Sequence, residues 1–518
     1  MYSIAIDAGT GSVRAVVFDE EGIERGSASR DWVHLPIDGV PGSMQFDTEA
    51  NFRLIVDIIR EVLDRTDIDR HDVRAISATA MREGIVCLDA AGHEIWACAN
   101  VDARAVDQVR SLRRDTALER RIYERSGQMF ALAAQPRLLW IKERAPEIYH
   151  RIAIVLMLSE WVLYRLSGQT SMETTNGSTS GLLNLTTRRA DDDLLTWCGL
   201  TPGLVPVVAE SGTVIGRLLP HLADDWGLPP STAVVLGGGD TQMAAVGAGM
   251  VQSGQGLIVG GTFWQQAVNT DSPRTDPDLK VRVNCAAPPD LWWAEAIAFH
   301  VGTVVRWFRD TLAVEEAAEA RRRGISTLQV LDQAAQSLPI GSHGIIPIFS
   351  DVMNYGTWVH AAPSFLNLPL DLPAAETRAA MYRAILENAA IVAHLNLSHV
   401  EEFSGTRLQS VVFAGGGAKS RIWAQILADV TGLHVQVPMV KETTAQGAAL
   451  CGFVGAGVLP DLKDASQAWA REDYAVDPDP QRSQAYAEVA ERWQAAYPPQ
   501  LELATRGLTT SLWRAPGA

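Results

Sequence analysis

The fold is decided by two short turns, Asp7-Ala8-Gly9-Thr10-Gly11-Ser12 near the start of the chain and Gly260-Gly261-Thr262 in its middle. An apolar run leads into each turn and a second apolar run leaves it, which predicts a strand, a glycine-rich turn and another strand. Glycine lets backbone N–H groups converge on an anion, and threonine adds a hydroxyl donor. Two such turns facing each other would form a clamp for a polyphosphate.

The patterns around both turns predict an α/β protein in which the second half repeats the first. A helix at 49–65 and strands at 73–78 and 85–88 follow the first hairpin, and β/α alternation indicates a mixed sheet flanked by helices. In the second half we predict strands within 257–268, 280–298 and 411–414, and helices at 303–321, 374–401, 420–431 and about 481–496. Small residues and glycines after position 247 place the boundary there, giving domains 1–247 and 248–518.

The composition is typical of a soluble globular protein, with 47% apolar and 20% charged residues. The net charge of −17 argues against nucleic acid or an anionic membrane as a partner, because both require a basic face. Five widely spaced cysteines without a Cys-x-x-Cys pair predict neither a disulfide framework nor a zinc site. The longest apolar segment, 152–158, is far shorter than the roughly 20 residues of a membrane-spanning helix, and no signal peptide is indicated. We therefore expect a cytoplasmic protein.

Asp7 ends a buried strand beside the first turn, where a carboxylate requires a positive partner. Mg²⁺ bound to phosphates would supply that charge, since this ion is commonly held by one or two carboxylates together with substrate phosphates. The alternative is that Asp7 only caps its own turn. We predict a metal site at Asp7.

Asp240 follows three glycines at a predicted strand-to-helix turn, which exposes its carboxylate in a cleft. Phosphoryl transfer to an alcohol needs a carboxylate within hydrogen-bond reach of the attacking hydroxyl. An ordinary aspartate at a helix N-cap is the competing explanation. We take Asp240 as the candidate catalytic base, and as a ligand of the same metal.

A second glycine triplet, 415–417, lies between a strand and a helix that starts near Ser420, so a nucleotide could lie against bare backbone there. The alternative is a loop that needs only positive φ. The segment is not a P-loop because glycines are missing at 413 and 418, and residues 9–14 fail the Rossmann fingerprint because position 14 is arginine and a strand follows.

Polar residues of both signs follow predicted strands at Arg82, Glu83, Asn100, Asp102 and Arg104. A small polyhydroxylated compound requires such groups, because each hydroxyl both donates and accepts a hydrogen bond. Surface ion pairs would give the same pattern. Arg82, Glu83, Asn100 and Asp102 are our candidate substrate contacts.

Together these motifs resemble the FGGY carbohydrate kinases over nearly the whole chain. The resemblance implies two ribonuclease-H-like (actin/hexokinase-type) domains around a central interdomain cleft, with ATP and Mg²⁺ as cofactors. It implies that Asp240 is catalytic and that Arg82 and Glu83 contact the substrate. The implied nucleotide contacts are Thr10, Gly11, Ser12 and Arg14 in the first phosphate loop, Gly261 and Thr262 in the second, and Gly302, Gly416, Gly417 and Ser420 around adenosine.

Four stretches, 81–86, 98–104, 261–266 and 507–513, resemble most closely the family members that phosphorylate a linear, hydrated dihydroxypentanedione. Leu132 falls where glycerol-type members have a substrate-contacting tyrosine, and Thr241 replaces their glutamine. Both departures argue against glycerol as the acceptor. A kinase for a pentulose such as xylulose or ribulose stays open, as does a non-catalytic actin-like ATPase or sensor that keeps only the phosphate clamp.

Overall fold

The fold is seen in a computed structural model of the chain, which describes residues 1–352 and 359–511. The strands of the first half are β1 (Tyr2–Ala8), β2 (Ser12–Asp19), β3 (Glu24–Asp31), β4 (Leu35–Ile37), β5 (Val40–Gln45), β6 (Val73–Ala80), β7 (Ile85–Leu88), β8 (Glu94–Cys98), β9 (Ile154–Met157), β10 (Met172–Glu173), β11 (Leu183–Asn184), β12 (Arg189–Ala190), β13 (Val208–Ala209), β14 (Val214–Arg217) and β15 (Ala233–Gly239). Its helices are α1 (Thr48–Arg65), α2 (Val106–Arg113), α3 (Thr116–Ser126), α4 (Ala134–Arg144), α5 (Pro146–Tyr149), α6 (Leu158–Ser167), α7 (Thr174–Thr179), α8 (Asp193–Thr196), α9 (Pro220–Trp226) and α10 (Asp240–Gly247).

The second half is likewise built of interspersed strands and helices. Its strands are β16 (Gly256–Gly260), β17 (Trp264–Thr270), β18 (Arg282–Cys285), β19 (Trp292–Ala298), β20 (Ile346–Ile348), β21 (Ser364–Leu366), β22 (Ser410–Ala414), β23 (His434–Pro438) and β24 (Glu472–Val476). Its helices are α11 (Val301–Thr311), α12 (Val314–Arg323), α13 (Thr327–Gln336), α14 (Ala374–Ser404), α15 (Arg421–Thr431), α16 (Thr443–Gly455), α17 (Leu462–Trp469) and α18 (Pro480–Thr505).

Two large sheets have the same internal order, which confirms the predicted fold class. The first runs β14-β15-β6-β1-β2-β3 and the second runs β18-β19-β17-β16-β22-β23-β24. In each, an antiparallel hairpin carries the glycine and threonine turn, and its first strand pairs in parallel with a later strand. Each sheet therefore continues from its hairpin through two parallel strands to a final antiparallel one, β14 or β24. This repeated order is the ribonuclease-H-like arrangement.

The core of the first sheet shows how the sequence pattern produces this packing. Successive side chains of a strand point to opposite faces, and residues 3–6 of β1 are buried, so both of its faces are covered. Ile4 and Ile6 lie in one core cluster with Ile55 and Ile59 of α1, whereas Ala5 lies in another with residues of α16. Asp47 caps α1 by accepting a hydrogen bond from the N–H of Ala50. Helices therefore cover both faces of the sheet.

The two halves exchange a helix. α16 comes from the second half but packs against β1 and β2, while Ala244 and Ala245 of α10 join the core of the second sheet. The division into 1–247 and 248–518 stays a prediction, and this exchange ties the two parts together at their boundary.

Two predicted helices have different bounds. The stretch at 303–321 is two helices, because the chain leaves the helix at Leu312 and buries Ala313 before α12 begins. The terminal helix does not end near 496 but continues through Pro498 and Pro499. A proline removes the hydrogen bond to the carbonyl four residues earlier, and residues 494 and 495 are exposed, so water can solvate those carbonyls.

All five cysteines are free and buried. Within the described ranges, no helix is both long and apolar enough to cross a membrane.

Candidate active site

The predicted phosphate, substrate and catalytic residues of the first half follow neighbouring strand ends. Ala8, Ala80 and Gly239 are aligned at the carboxyl ends of β1, β6 and β15. The first turn follows β1, the pair 82–83 follows β6, and Asp240 follows β15. Because the carboxyl ends of parallel strands meet at one edge of a sheet, these segments share one side of the cleft.

Polar and aromatic side chains hold the first glycine and threonine turn, residues 7–12. Asn100 Nδ2 donates to Thr10 Oγ1 at 3.0 Å, and Trp32 Nε1 donates to the carbonyl of Gly9 at 2.9 Å. His34 Nε2 lies 2.8 Å from the carbonyl oxygen of Thr10. Asn100, our candidate substrate contact, thus lies against the turn, and its role toward a substrate stays a prediction.

Arg14 lies directly opposite Asp7 in the first hairpin and forms an ion pair with Glu442. Glu442 precedes α16, the helix that the second half contributes to the first sheet. The sequence reasoning missed Glu442, because nothing local relates it to Arg14. The pair keeps a cation beside the first turn, with 33% of the Arg14 side chain exposed.

Asp7 and Asp240 have raised pKa values. Burial, together with the neighbouring Asp240 carboxylate, raises the pKa of Asp7 to about 7. Burial also raises the pKa of Asp240 to about 6, because the Arg82 guanidinium offsets only part of the desolvation. The Asp240 carboxylate disfavours the charge on Asp7, and the pKa values of both carboxyls are raised, so a divalent cation held by both would favour their charged forms.

The donor set suits Mg²⁺ in particular. Both candidate ligands offer oxygen, and in residues 1–352 and 359–511 no three His, Cys, Asp or Glu side chains are arranged to hold a metal ion. A site of one or two carboxylates that leaves its other positions to water and phosphate is how Mg²⁺ is usually bound. The residues therefore fit the ion, and its presence stays a prediction.

Asp240 does not occupy the N-cap position of α10. Gly239 occupies the N-cap of α10, and Asp240 is the first residue of the helix, with 35% of its side chain exposed. The turn is held from behind, since the N–H of Gly239 donates to Thr175 Oγ1 at 2.9 Å and that hydroxyl donates to Glu173 Oε2 at 2.6 Å. The N-cap position thus belongs to Gly239, although Asp240 Oδ1 accepts the N–H of Thr241 at 2.8 Å, and the catalytic role of Asp240 stays a prediction.

Arg82 connects Asp240 to the second half of the chain. Its Nε lies 3.5 Å from Asp240 Oδ1, and its Nη1 donates to Glu295 Oε1 at 2.6 Å. Although burial opposes the charge, Glu295, Glu83 and Asp240 raise the pKa of Arg82, so it stays cationic. Arg82 therefore lies beside the candidate base, and its contact with a substrate stays a prediction.

Glu83 has a left-handed backbone, with φ of 68°. A non-glycine residue in this region is uncommon and persists only where its surroundings hold it. Arg137 Nη1 donates to the carbonyl of Glu83 at 2.7 Å, and Arg282 Nη1 donates to its carboxylate at 2.6 Å. Burial alone would raise the pKa of Glu83, but Arg282 and Arg82 hold it below its ordinary value. Glu83 is thus a fixed anion.

Asp102 is occupied by neighbouring protein groups. Its carboxylate accepts the N–H of Met44 at 2.6 Å and pairs with Arg104 at 2.7 Å, and its side chain has no exposed surface. As a substrate contact Asp102 stays a prediction. In this structure it fastens the segment that carries Asn100.

The second glycine and threonine turn, residues 260–262, is packed against the start of α11. The N–H of Gly302 donates to the carbonyl of Thr262 at 3.1 Å. A Cβ at Gly302 would lie 2.4 Å from the carbonyl oxygen of Gly261, so only glycine permits this approach. Arg306, which sequence reasoning missed, donates from Nη2 to Thr262 Oγ1 at 3.3 Å. A helix N-terminus and an arginine thus border this turn.

The predicted adenosine loop lies next to that turn. Val259 and Ala414 are paired at the carboxyl ends of β16 and β22, so the two glycine loops that follow are neighbours. Gly416 is exposed, and a Cβ there would meet only the carbonyl of Gly260, at 3.7 Å. Gly417 packs on aromatic rings, and Ser420 caps α15. The structure thus brings together Gly261, Thr262, Gly302, Gly416, Gly417 and Ser420.

The sequence reasoning also missed Arg282 and Glu295. They lie opposite each other on β18 and β19, and both are buried. A signal existed, because each is a charged residue between apolar neighbours in a predicted strand. It did not show that both side chains reach Arg82 and Glu83, about 200 positions earlier in the chain.

The chain is similar to known proteins over most or all of its length. A family model described as the FGGY family of carbohydrate kinases, N-terminal domain, matches residues 2–247, and the C-terminal domain of the same family matches residues 264–456. The chain is 46% identical over 518 residues to the autoinducer-2 kinase of Salmonella paratyphi A, covering 100% of this chain and 98% of that protein. It is 45% identical to the autoinducer-2 kinase of Yersinia enterocolitica, with the same coverage.

Solved structures share the fold at low sequence identity. Xylulose kinase from Lactobacillus acidophilus, in a ligand-bound crystal structure, has a TM-score of 0.82 and 20% identity over 98% of this chain and 99% of that one. Glycerol kinase from Plasmodium falciparum with ADP has a TM-score of 0.80 and 17% identity, covering 96% of this chain and 98% of the other.

Proposed function

The chain belongs to the FGGY family of carbohydrate kinases, and from that premise we propose that it transfers the γ-phosphoryl group of ATP to the terminal hydroxyl of autoinducer-2. The acceptor would be the linear form, 4,5-dihydroxy-2,3-pentanedione, and the reaction would process a quorum-sensing signal. The observation that carries the proposal is the position of Asp240, beside Arg82 and one strand away from the first phosphate turn. Full-length similarity to autoinducer-2 kinases favours this acceptor.

Each part of the site has a role in the proposed reaction. ATP phosphates lie between the turns at Thr10 and Thr262, and adenosine lies on the exposed loop at Gly416. The acceptor lies against Arg82 and Glu83, whose fixed charges can donate to and accept from its hydroxyls. Asp240 accepts the proton of the terminal hydroxyl as its oxygen attacks the γ-phosphorus and the bond from that phosphorus to the β,γ-bridging oxygen breaks.

Asp7 and Asp240 would hold Mg²⁺, which when bound offsets phosphate charge. Arg14 adds a second positive charge beside the first turn. Approach of the two halves would exclude water, which otherwise competes as the acceptor. Five free thiols and a supply of ATP fit a cytoplasmic protein.

The test is an ADP-release assay with the dione, xylulose, ribulose, glycerol and no acceptor. We expect release to depend on an acceptor and to be fastest with the dione. A response to xylulose or ribulose but not to the dione would reassign the acceptor to a pentulose. Release that is unchanged without any acceptor would contradict a kinase and favour an actin-like ATPase.

Replacing Gly416 with alanine tests where adenosine lies. The added Cβ has room in the protein, so we expect an unchanged thermal midpoint, but it would occupy the surface proposed for the nucleoside. The KM for ATP should rise several-fold, while the KM for the acceptor and kcat at saturating ATP stay unchanged. The reason is that the methyl group weakens ATP binding equally in the ground state and in the transition state. Steady-state kinetics with each substrate varied measures this. An unchanged KM for ATP would show that adenosine does not bind at this loop.

A further inference from the structure

Four charged side chains from both halves of the chain form a buried ionic network at the acceptor site. Arg82 and Glu83 come from the first half, and Arg282 and Glu295 from the second. Glu295 accepts from Arg82 at 2.6 Å and lies 3.5 Å from Arg282, which donates to Glu83 at 2.6 Å. These side chains are between 0% and 12% exposed. The four side chains thus alternate in charge in the order Arg82, Glu295, Arg282, Glu83. Two residues of the second half therefore connect Arg82 to Glu83.

Glu295 is held rigidly at the centre of this network. Trp293 Nε1 donates to its Oε2 at 2.9 Å, and Asn284 Nδ2 donates to its Oε1 at 3.2 Å. Buried charges are costly unless they are paired and hydrogen-bonded. With both oxygens engaged, the carboxylate has a fixed position toward Arg82.

Arg282 is fixed in the same way. Its Nε donates to Gln128 Oε1 at 2.6 Å, and its Nη2 donates to the carbonyl of Thr179 at 3.3 Å. Its Nη1 holds Oε1 of Glu83, which leaves the second carboxylate oxygen of Glu83 for another donor. The second half therefore sets the orientation of a first-half residue.

The geometry at Arg82 shows what this network does. The guanidinium is closer to Glu295 than to Asp240, 2.6 Å against 3.5 Å. Arginine readily forms two parallel hydrogen bonds to one carboxylate. Without the charge of Glu295, Arg82 would turn to pair fully with Asp240 and occupy the oxygens that the acceptor hydroxyl needs.

We infer that Glu295 and Arg282 are positioning residues for the acceptor. Glu295 holds Arg82 so that Asp240 stays available, and Arg282 holds Glu83 so that it can accept from a hydroxyl of a linear polyol or hydrated dione. The acceptor site is thus completed by the second half of the chain. This inference rests on the proposed function, because it assumes that Arg82, Glu83 and Asp240 face the acceptor.

The first test is Glu295→Gln, measured by ADP release with the acceptor and ATP varied in turn. We expect kcat to fall at least about tenfold, which corresponds to about 1.4 kcal/mol of transition-state stabilisation, with the KM for ATP unchanged. Arg282→Gln should instead raise the KM for the acceptor, because it releases Glu83. A change in the KM for ATP alone would overturn the assignment.

A double variant separates positioning from general damage. If Glu295 acts through Arg82, then Arg82→Gln combined with Glu295→Gln should be no slower than Arg82→Gln alone, because the group that Glu295 holds is already absent. If the double variant instead shows the product of the two single losses in kcat, Glu295 acts independently of Arg82 and the inference is overturned. If Glu295→Gln does not fold, Arg282→Gln with Glu295→Gln keeps the buried charge balanced and should show the same fall in kcat.

Arg188→Gln is the matched control. Arg188 is also buried, pairs with Glu210, and donates to the carbonyls of Ala286 and Leu291 across the halves, but it contacts none of the four network residues. We expect the same kinetic constants as the unmodified protein. An equal fall in kcat in this variant would show that the loss of any contact between the two halves lowers turnover, which would contradict the inference. If the proposed function itself is wrong, the unmodified protein will show no acceptor-dependent ADP release. This result is distinguishable from a failure of the inference.

Discussion

Asp240→Asn is expected to lower kcat at least about a hundredfold, the usual scale for loss of a general base, while folding and ATP binding are retained. Asparagine has the size of aspartate and can accept the same 2.8 Å hydrogen bond from the N–H of Thr241. It cannot take a proton from the acceptor hydroxyl. Turnover by coupled ADP release and ATP binding by calorimetry measure the two properties separately.

Asp479→Asn is the control for this prediction. Asp479 is the N-cap of α18, outside the site, and accepts from the N–H groups of Gln481 and Arg482. Asparagine serves equally well at an N-cap, so turnover should be unchanged. If Asp240→Asn also keeps near-normal turnover, Asp240 has no catalytic role and the base must be sought elsewhere.

Gly447→Ala is expected to produce the largest loss of stability. Gly447 of α16 and Gly247 of α10 lie where the exchanged helices cross, and a Cβ at Gly447 would lie 2.0 Å from the carbonyl oxygen of Met243. The clash is with backbone, so no rotation of a side chain relieves it and the helices must separate. Overpacking of this kind costs about 1–3 kcal/mol and occasionally more, and we expect about 3 kcal/mol.

Calorimetry should show a lower thermal midpoint for Gly447→Ala, with a loss of kcat as well. The loss of activity follows because α10 begins at Asp240, so a shift of this helix moves the candidate base. Gly416→Ala is the stability control, since its added Cβ meets only one atom, at 3.7 Å. Equal midpoints for the two variants would show that the crossing tolerates a methyl group.

Much of the fold could be predicted because its signals are local. The apolar runs around each glycine and threonine turn gave both hairpins, and the spacing of Phe52, Ile55, Ile59 and Val62 gave α1. The position of Asp240 after a strand and three glycines placed it at the start of a helix. Each of these features depends on neighbours within about one turn or one strand, where sequence spacing and distance are closely related.

The tertiary structure alone decided which distant side chains meet. Arg82 and Glu295 are separated by 213 positions, and their pairing depends on the approach of the two halves rather than on any local pattern. Likewise, Asp102 looked available in the sequence but is enclosed by Met44 and Arg104. The sequence by itself determined the two hairpins, the turns and the candidate base. The folded chain determined the charges around that base, because burial and long-range contacts arise only when both halves come together.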